Sequence, residues 1–147
     1  MTVPAPRARD VRRADTLARF SGDVDCWVSS ATPDGVPYLT PLSYLWDGET
    51  FLLSTVASSP TAQNLLRSGR TRLAFGATRD VVLVDGTVSR VLPDDATAAA
   101  FAAATGFDPR EEPQEYAYLA VRPVTVQAWR EANELAGRTL MKDGRWI

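Results

Sequence analysis

The stretch "VPYLTPLSYLWDGETFLLSTVASSPTAQNLL", residues 36–66, contains two strand-like segments, a tight turn and the start of a helix. Aromatic, β-branched and leucine residues fill both segments, and "DGE" at 47–49 is typical of a turn between paired strands. Ser59 is suited to cap a helix, and Pro60 suits the first helical position. The stretch therefore predicts two paired strands followed directly by a short helix, which Gly69 ends.

Short strand patterns recur on both sides of this stretch. "VDCWVSSAT" precedes it, joined through "PDG"; "RLAFGA" and "VVLVDGTVSRVL" follow, and "YAYLAVRPVTVQAW" predicts a last long strand that is bent or at an edge near Pro123. Strands so closely spaced, with only short helices between them, favour an antiparallel barrel over a βαβ sheet. We predict a mainly β fold, a six-stranded antiparallel split barrel with short flanking helices.

Two further helices are expected beside these strands. From Asp10 as N-cap, the first helix would bury one face and end at Gly22; its predicted face consists of Val11, Ala14, Leu17, Ala18 and Phe20. An alanine-rich helix follows an acidic cap at residues 94–95 and ends at Gly106, and the tail after residue 130 is predicted to be partly helical. Residues 1–9 are interpreted as a flexible leader, and residues 10–147 as a single domain.

Composition excludes several classes of protein. The chain has 147 residues, 45% of them hydrophobic, which is enough for one domain with its own core. A formal charge of −2 does not fit a nucleic-acid-binding protein, and no segment has the roughly 20 apolar residues of a membrane span. The single cysteine, Cys26, lies in a strand pattern and is interpreted as a core thiol. We expect a cytoplasmic protein.

The chain contains no histidine. This absence removes the usual general base, the usual partner of a nucleophile and the commonest metal ligand. No metal site is expected, and no catalytic residue can be named; Tyr38 and Tyr44 are possible proton donors that strand packing explains equally well. If the protein is an enzyme, its difficult chemistry belongs to a bound organic cofactor.

A cluster of hydroxyl side chains surrounds the predicted helix start. A helix start offers free N–H groups and a favourable dipole to an anion, and short hydroxyl side chains add further donors. The loop suits a phosphate, although a loop that only caps the helix would look similar. The hydroxyl cluster consists of Ser54, Thr55, Ser58, Ser59 and Thr61.

The order of the segments "TPLSYLWDGETFLLST", "NLLRSGRTRLAFG" and "DVVLVDGTVSRV" resembles the pyridoxamine-phosphate-oxidase-like family of split-barrel flavoproteins. The tail "WREANELAGRTLMKDGRW" is similar to that of small members of the same family. The resemblance implies a homodimer with two cofactors at its interface, FMN in most members and the deazaflavin coenzyme F-420 in a large branch. It implies hydride transfer between this cofactor and a small organic substrate that the sequence does not identify.

Carried over by position, the resemblance assigns site residues. The cofactor phosphate would contact the hydroxyl cluster and Asn64, and the ring would lie along the backbone of Pro41, Leu42 and Ser43. Arg72 and Arg79 are basic candidates near the cofactor, with surface ion pairs as the alternative. The family often has a lysine at the position of Thr61, and its absence weakens the expected phosphate site.

The tail "KDGRWI" ends on an apolar pair beside a cation. A turn at 142–144 would direct it onto a neighbouring subunit, where Trp146 is buried and Arg145 reaches the cofactor; the alternative is that Trp146 fills a groove on its own chain. Trp27, Trp46 and Trp129 are interpreted as core or barrel-rim residues. The sequence thus predicts an oxidoreductase, with a non-catalytic flavin or deazaflavin carrier and a cofactor-free dimerisation module as alternatives.

Overall fold

The computed structural model of the chain describes residues 2–147, so Met1, the first residue of the predicted leader, lies outside the described residues. Three helices, eight strands and two short 3-10 segments make up this part of the chain. None of its helices has the length and apolar character that crossing a membrane requires. The helices are α1 (Arg9–Gly22), α2 (Pro60–Ser68) and α3 (Asp95–Thr105). The strands are β1 (Asp25–Ala31), β2 (Pro37–Trp46), β3 (Phe51–Val56), β4 (Arg70–Phe75), β5 (Val81–Val91), β6 (Tyr116–Trp129), β7 (Thr139–Lys142) and β8 (Arg145–Trp146).

Six of the strands close into an antiparallel barrel. Their order is β3-β2-β1-β4-β5-β6, and pairing between β3 and β6 joins the two ends. β7 and β8 continue the sheet beyond the second half of β6. The predicted fold class, mainly β with a six-stranded antiparallel barrel and short flanking helices, is confirmed.

The barrel is split between β2 and β3. These strands pair only through three residues each, from Tyr44↔Leu53 to Trp46↔Phe51 next to their turn. Beyond that point β3 pairs only with β6, up to Val56, and the first half of β2 pairs only with β1. A longer β2–β3 ladder would set Val56 opposite Pro41, which has no N–H to donate.

β6 serves both sides of the barrel because it bends near Pro123, as predicted. Its pairing with β5 slips by one residue between Asp85 and Gly86, which is a β-bulge. A Cβ on Gly86 would lie 2.6 Å from Val121 Cγ1 and 2.9 Å from the Arg122 carbonyl oxygen. Only glycine allows the two strands to approach so closely.

Aromatic rings form the centre of the core at one end of the barrel. Phe20 from α1 lies 4.8 to 5.2 Å, centroid to centroid, from the rings of Trp46, Phe51 and Phe75. The Tyr44 hydroxyl donates to the Phe20 carbonyl at 2.9 Å, which ties the end of α1 to β2. Cys26 is buried at the edge of this core, and burial raises the pKa of its thiol to about 12, in agreement with the predicted core thiol.

Helix α1 differs from its prediction. It begins at Arg9 after Ala8, so Asp10 lies in the first turn and is not the cap, and its buried residues are Arg12, Thr16 and Phe20. Leu17 and Phe20 of the predicted face pack against the core, but the rest of that face was wrong: Val11 is 46% exposed, and Ala14 and Ala18 are also exposed. A hydrophobic pattern could not detect that a guanidinium occupies the buried position.

Arg12 is buried because it holds backbone carbonyls. One terminal nitrogen donates to the carbonyl oxygens of Ala128, Glu134 and Gly137 at 3.0 to 3.3 Å. Arg7, in the segment before α1, donates to both carboxylate oxygens of Glu134 at 2.8 and 3.0 Å. Glu134 is only 2% exposed, and its bond to Arg7 holds its pKa down at about 2. These contacts attach the N-terminal segment to the loop after β6.

The caps of the other two helices agree with the sequence. The Ser59 side chain accepts a hydrogen bond from the Ala62 N–H, and Gly69 ends α2 in a left-handed conformation. Asp94 caps α3 in the same way, and Gly106 ends it. The sequence signals at these four positions are local, and the structure uses them as expected.

The tail forms a hairpin on its own chain. A turn at Asp143 and Gly144 reverses the backbone, and Trp146 pairs with Met141 of β7. Trp146 packs partly buried against the core, and the Arg13 guanidinium lies 4.9 Å from its ring centroid. The predicted turn is thus confirmed, and Trp146 takes the alternative of a place on its own chain, because β7 offers it a free edge. Apart from one 3-10 turn (Ala132–Glu134), the tail is a strand hairpin and not a helix.

We expect Arg7→Ala to lower the free energy of unfolding by about 3 kcal/mol, because the buried Glu134 carboxylate keeps backbone N–H donors from residue 7 and Arg130 but loses its cation. Arg79→Ala is the matched control: Arg79 pairs with Glu131 but its side chain is 81% exposed, so the loss should stay below about 0.5 kcal/mol. Urea denaturation measures both. Equal losses in the two variants would contradict a special role for Arg7.

The same pair predicts a pH dependence. The Glu134 pKa is lower in the folded chain than in the unfolded chain, so its contribution is fully present above about pH 4.3 and is lost as pH falls towards about 2. The fall in unfolding free energy over this range should be smaller in Arg7→Ala than in the unaltered protein. A fall of the same size in both would mean that other carboxylates cause it.

Candidate functional site

The split leaves one edge of β2 without a strand partner. The Tyr44 N–H donates to Val24 on the β1 side, so by alternation the backbone groups of Ser43, Pro41 and Leu39 face the split. Those of Leu42 face β1, opposite Cys26. A row of backbone oxygens and N–H groups is thus available to a planar ligand.

The far side of the split carries the hydroxyl cluster. Ser54 and Thr55 end β3, and Ser58 is exposed in the turn that leads into α2. The Ser54 hydroxyl donates to the Ala117 carbonyl at 3.1 Å, so this group is already engaged with β6. The structure therefore places these hydroxyls close together, but the Ser54 hydroxyl is already hydrogen-bonded, whereas Ser58 is exposed to a ligand.

The first turn of α2 has few free donors. The Ala62 N–H donates to the Ser59 hydroxyl, the Gln63 N–H donates to the Ser59 carbonyl, and Pro60 has no N–H. The Thr61 N–H has no acceptor within residues 2–147, and its side chain is mostly buried. One N–H group and the hydroxyls around it are what this turn can offer an anion.

Asn64 connects α2 to the next part of the surface. It is buried, donates to the Ser30 hydroxyl of β1 at 3.2 Å and accepts from Arg67 at 3.4 Å. Arg67 also donates to the Ala31 carbonyl. The predicted phosphate residue Asn64 therefore also fixes the position of an arginine at the other end of the helix.

A groove of about 940 Å³ lies at that other end. Its walls come from the end of β1, the end of α2, the start of β4 and the bulged region of β5 and β6. Hydroxyl groups and three arginines line it; the arginines are Arg67, Arg70 and Arg72. Within α2, Arg67 at the groove lies six residues beyond Thr61 of the hydroxyl cluster, a distance of about 9 Å along the helix.

The two basic candidates occupy different places. Arg72 lines the groove and pairs with Asp85 through two nitrogen–oxygen contacts of 2.5 and 3.2 Å, which raises the Arg72 pKa. Arg79 lies in the turn after β4, at the opposite end of this strand from α2, and pairs with Glu131. The length of β4 is about 20 Å, so within one chain Arg79 is far from the hydroxyl cluster.

The tail lies beside the groove. The Gly144 N–H donates to the carbonyl of Val124 at 2.9 Å, and Val124 lines the groove. Arg145 is exposed in the next position, while Trp146 packs on its own chain. Of these two residues, Arg145 is the one whose side chain remains available to a ligand.

Neither tyrosine candidate has the surroundings of a tuned proton donor. The Tyr44 hydroxyl is buried against the end of α1, and burial raises its pKa. Tyr38 is exposed near the start of β2. Within residues 2–147 no three Cys, Asp or Glu side chains are grouped to hold a metal ion.

Sequence reasoning missed the groove. Arg70 and Arg72 alternate on one strand, which places both on one face, and this signal was readable. Their approach to Arg67 and Ser30 depends on how α2 packs against β1, which no local pattern shows.

The residues around the split fit a phosphate-bearing planar cofactor. The unpaired edge of β2 can hydrogen-bond a heterocycle, and Thr55, Ser58 and the Thr61 N–H can hold an anion at its end. The site contains hydroxyl and backbone groups and no tuned acid or base. Such a site can bind and orient a cofactor, whereas the protein itself supplies no obvious proton-transfer group.

Comparison with known proteins gives the family. The family model described as pyridoxamine 5'-phosphate oxidase matches residues 17–130, which include the barrel strands and α2. Among curated proteins, none matches the chain.

Several solved structures share this fold, and their names refer to different ligands. An F-420 reductase is 16% identical, with a TM-score of 0.63 and coverage of 74% of this chain and 93% of that one. An FAD-binding protein from Mesorhizobium loti is 15% identical (TM-score 0.63, coverage 78% and 89%). The haem storage protein HutZ from Vibrio cholerae is 11% identical (TM-score 0.63, coverage 80% and 94%).

At these identities the likeness shows the fold alone, and the family rests on the sequence match. Because that match covers most of the barrel, the chain belongs to the pyridoxamine 5'-phosphate oxidase family.

Proposed function

We propose that this protein is an oxidoreductase that binds FMN or the deazaflavin coenzyme F-420 in the split between β2 and β3. The observation that carries the proposal is an unpaired backbone edge on one side of the split with a hydroxyl cluster on the other. Family membership and the named flavin-type neighbours support it. The substrate is a small organic molecule that accepts or donates a hydride.

The phosphate of the cofactor binds at the start of α2. Ser58 and Thr55 donate through side-chain hydroxyls, Thr61 donates through its free N–H, and the dipole of α2 favours the negative charge. Ser59 keeps the helix turn in place by capping it. No lysine stands at position 61, so the phosphate is held by neutral donors.

The ring of the cofactor lies along β2. The backbone groups of Pro41 and Ser43 face the split and bond the ring edge, while Leu42 contacts it only through its flank because its own backbone groups face β1. The cofactor supplies the hydride chemistry. The protein orients the ring, excludes water on the barrel side and leaves the other face to the substrate.

The active form is a homodimer. Trp27 and Leu39 point to the outer face of neighbouring strands and are 47% and 65% exposed. Pro41 lies directly opposite Trp27 on the same face. Apolar side chains grouped beside the split suit a second copy, which would also cover the cofactor. The only cysteine, Cys26, is a buried free thiol, which is compatible with the reducing cytoplasm that we propose as the location of the protein.

The test of the proposal is a titration of the full-length protein with FMN and with coenzyme F-420, followed by cofactor fluorescence, together with the mass of the complex. We expect saturation by one of the two at one cofactor per chain, in a dimer. Haem is the control ligand, because HutZ shares the fold; weak or no haem binding is expected from a chain without histidine. If neither FMN nor coenzyme F-420 binds, the proposal is contradicted, and a cofactor-free dimerisation module is favoured instead.

A bound cofactor still leaves a carrier as the alternative. Reduction or reoxidation of the bound cofactor by members of a panel of hydride donors and acceptors distinguishes the enzyme. A cofactor that none of them turns over at a rate above that of the free cofactor favours a carrier.

We expect Ser58→Ala with Thr55→Ala to weaken cofactor binding by about 1–3 kcal/mol, since the two side-chain hydroxyl contacts to the phosphate are lost while the Thr61 N–H remains. The cap residue Ser59 is left intact, so the unfolding free energy should change little. Asp94→Ala is the matched control, because it removes the cap of α3 without touching the split. Unchanged affinity in the double variant would place the phosphate elsewhere.

Arg145→Ala should weaken cofactor binding severalfold if the tail hairpin contributes its cation to the site in the dimer. Lys142→Ala removes the same charge from the same hairpin and is the matched control, expected to leave affinity unchanged. Affinity and dimer mass are measured together for both variants. Equal effects of the two substitutions would indicate only a general contribution of positive charge.

A further inference from the structure

The groove beyond the end of α2 has a charge pattern that differs from that of the split. Three guanidinium groups line it against one carboxylate, that of Asp85. The split, in contrast, is bordered by hydroxyl and backbone groups. The two places therefore select for different ligand chemistry.

The three arginines are not equally engaged. Arg72 is compensated by Asp85. Arg67 donates only to neutral acceptors, the carbonyl of Ala31 and the side-chain oxygen of Asn64, and forms no salt bridge within residues 2–147. The pKa of the exposed Asp34 carboxylate is lowered mainly by its hydrogen bond from Thr32 and, to a smaller extent, by the nearby Arg67 charge. The Arg70 guanidinium has no hydrogen bond or ion pair anywhere in residues 2–147. At the α2 end of the groove, Arg70 thus has no partner in this part of the chain, and Arg67 beside it has no salt bridge.

Backbone geometry keeps these two charges together. The Ser68 hydroxyl donates to the Arg70 carbonyl and accepts from the Arg70 N–H at 3.1 and 3.2 Å, which fixes the connection between α2 and β4. Gly69 sits in this connection in the left-handed conformation, where it ends α2 without strain. The short connection of residues 68–69 keeps Arg67 and Arg70 near one another in sequence and in space.

Hydrogen-bonding groups continue along the groove from this charged end. Ser30 accepts from Asn64 and keeps its hydroxyl proton free to donate, and Thr87 and Thr125 lie further along. The volume of about 940 Å³ is within the range of small-molecule sites. Guanidinium groups bind carboxylate and phosphate oxygens in pairs, with charge-assisted bonds.

From this geometry we infer that the groove is a second ligand site, which binds the carboxylate or phosphate group of a small organic anion between Arg67 and Arg70. The anion's body extends along β4 and β5 towards the Arg72–Asp85 pair. The site lies at the opposite end of α2 from the split, with Arg67 about 9 Å along the helix from Thr61, so an anion can bind here whether or not the split holds a cofactor.

The experiment is a titration of the ¹⁵N-labelled full-length protein with inorganic phosphate and, separately, with succinate, followed residue by residue in NMR spectra. We expect saturable shifts at the amides of Ser30, Ser68 and Thr71 with at least one probe. Phosphate alone points to a phosphate ester, succinate alone to a carboxylate, and both to a general organic anion; each supports the site. Shifts confined to residues 58–61 would assign the anion to the start of α2 and overturn the inference.

Variants test the named groups. Arg70→Gln should weaken probe binding about tenfold, the loss of one charge-assisted contact. Arg90→Gln is the matched control: Arg90 lies on β5, pairs with Glu115 outside the groove and should leave affinity unchanged. Equal affinity in the unaltered protein and in Arg70→Gln overturns the inference, as does a dimer in which a second copy fills the groove and no probe binds. Thermal unfolding of each variant confirms that it is folded.

Discussion

β3 pairs with β6 along its whole length and with β2 along only half of its own, and the rest of the structure depends on this unequal pairing. Pairing with β6 closes the barrel and completes the core. Early separation from β2 leaves backbone groups unpaired near the surface, which ordinary sheets avoid. Pro41 lowers the cost of this separation, because it has no backbone N–H that could have donated a hydrogen bond to β3. One strand thereby provides both the stability of the barrel and its opening.

Helix α2 connects the proposed cofactor site at the split with the proposed anion site in the groove. It leaves β3 at the end of the split, buries Ala62 and Leu65 against the barrel, and delivers its last turn to β1 and β4. Its first turn carries hydroxyl groups. Its last turn carries Arg67, whose positive charge interacts favourably with the negative C-terminal end of the helix dipole. The proposed phosphate site and the proposed anion site therefore lie at opposite ends of one nine-residue helix. Asn64, buried between them, bonds to groups on the groove side and couples the helix to β1.

The arginines of this chain divide into structural and available groups. Arg7 and Arg12 are enclosed, and their bonds hold the N-terminal segment and the loop after β6 together. Removing such partners costs more than removing exposed ones, since the charge or carbonyl left behind is cut off from water. Arg70, by contrast, is exposed and has no partner within the described chain. A count of charged residues treats these groups alike, whereas burial and pairing separate them.

Local patterns in the sequence determined the class of fold, the six barrel strands and the caps of α2 and α3, although not the cap of α1 or the tail hairpin. Ser59, Asp94, Gly69 and Gly106 act at helix ends through contacts a few residues away, so their roles are readable without tertiary information. The bend at Pro123 follows in the same way from a missing N–H. The hydroxyl cluster was predictable as a group because its members are neighbours along the chain.

Only the tertiary structure decided which groups remain free. It committed the Ser54 hydroxyl to β6, turned the backbone of Leu42 towards β1, and moved Arg79 to the opposite end of β4. It also placed a guanidinium on the buried face of α1 and folded Trp146 onto its own chain. These outcomes depend on partners distant in sequence, and a hydrogen bond or ion pair across the barrel has no signature in the local pattern of either residue.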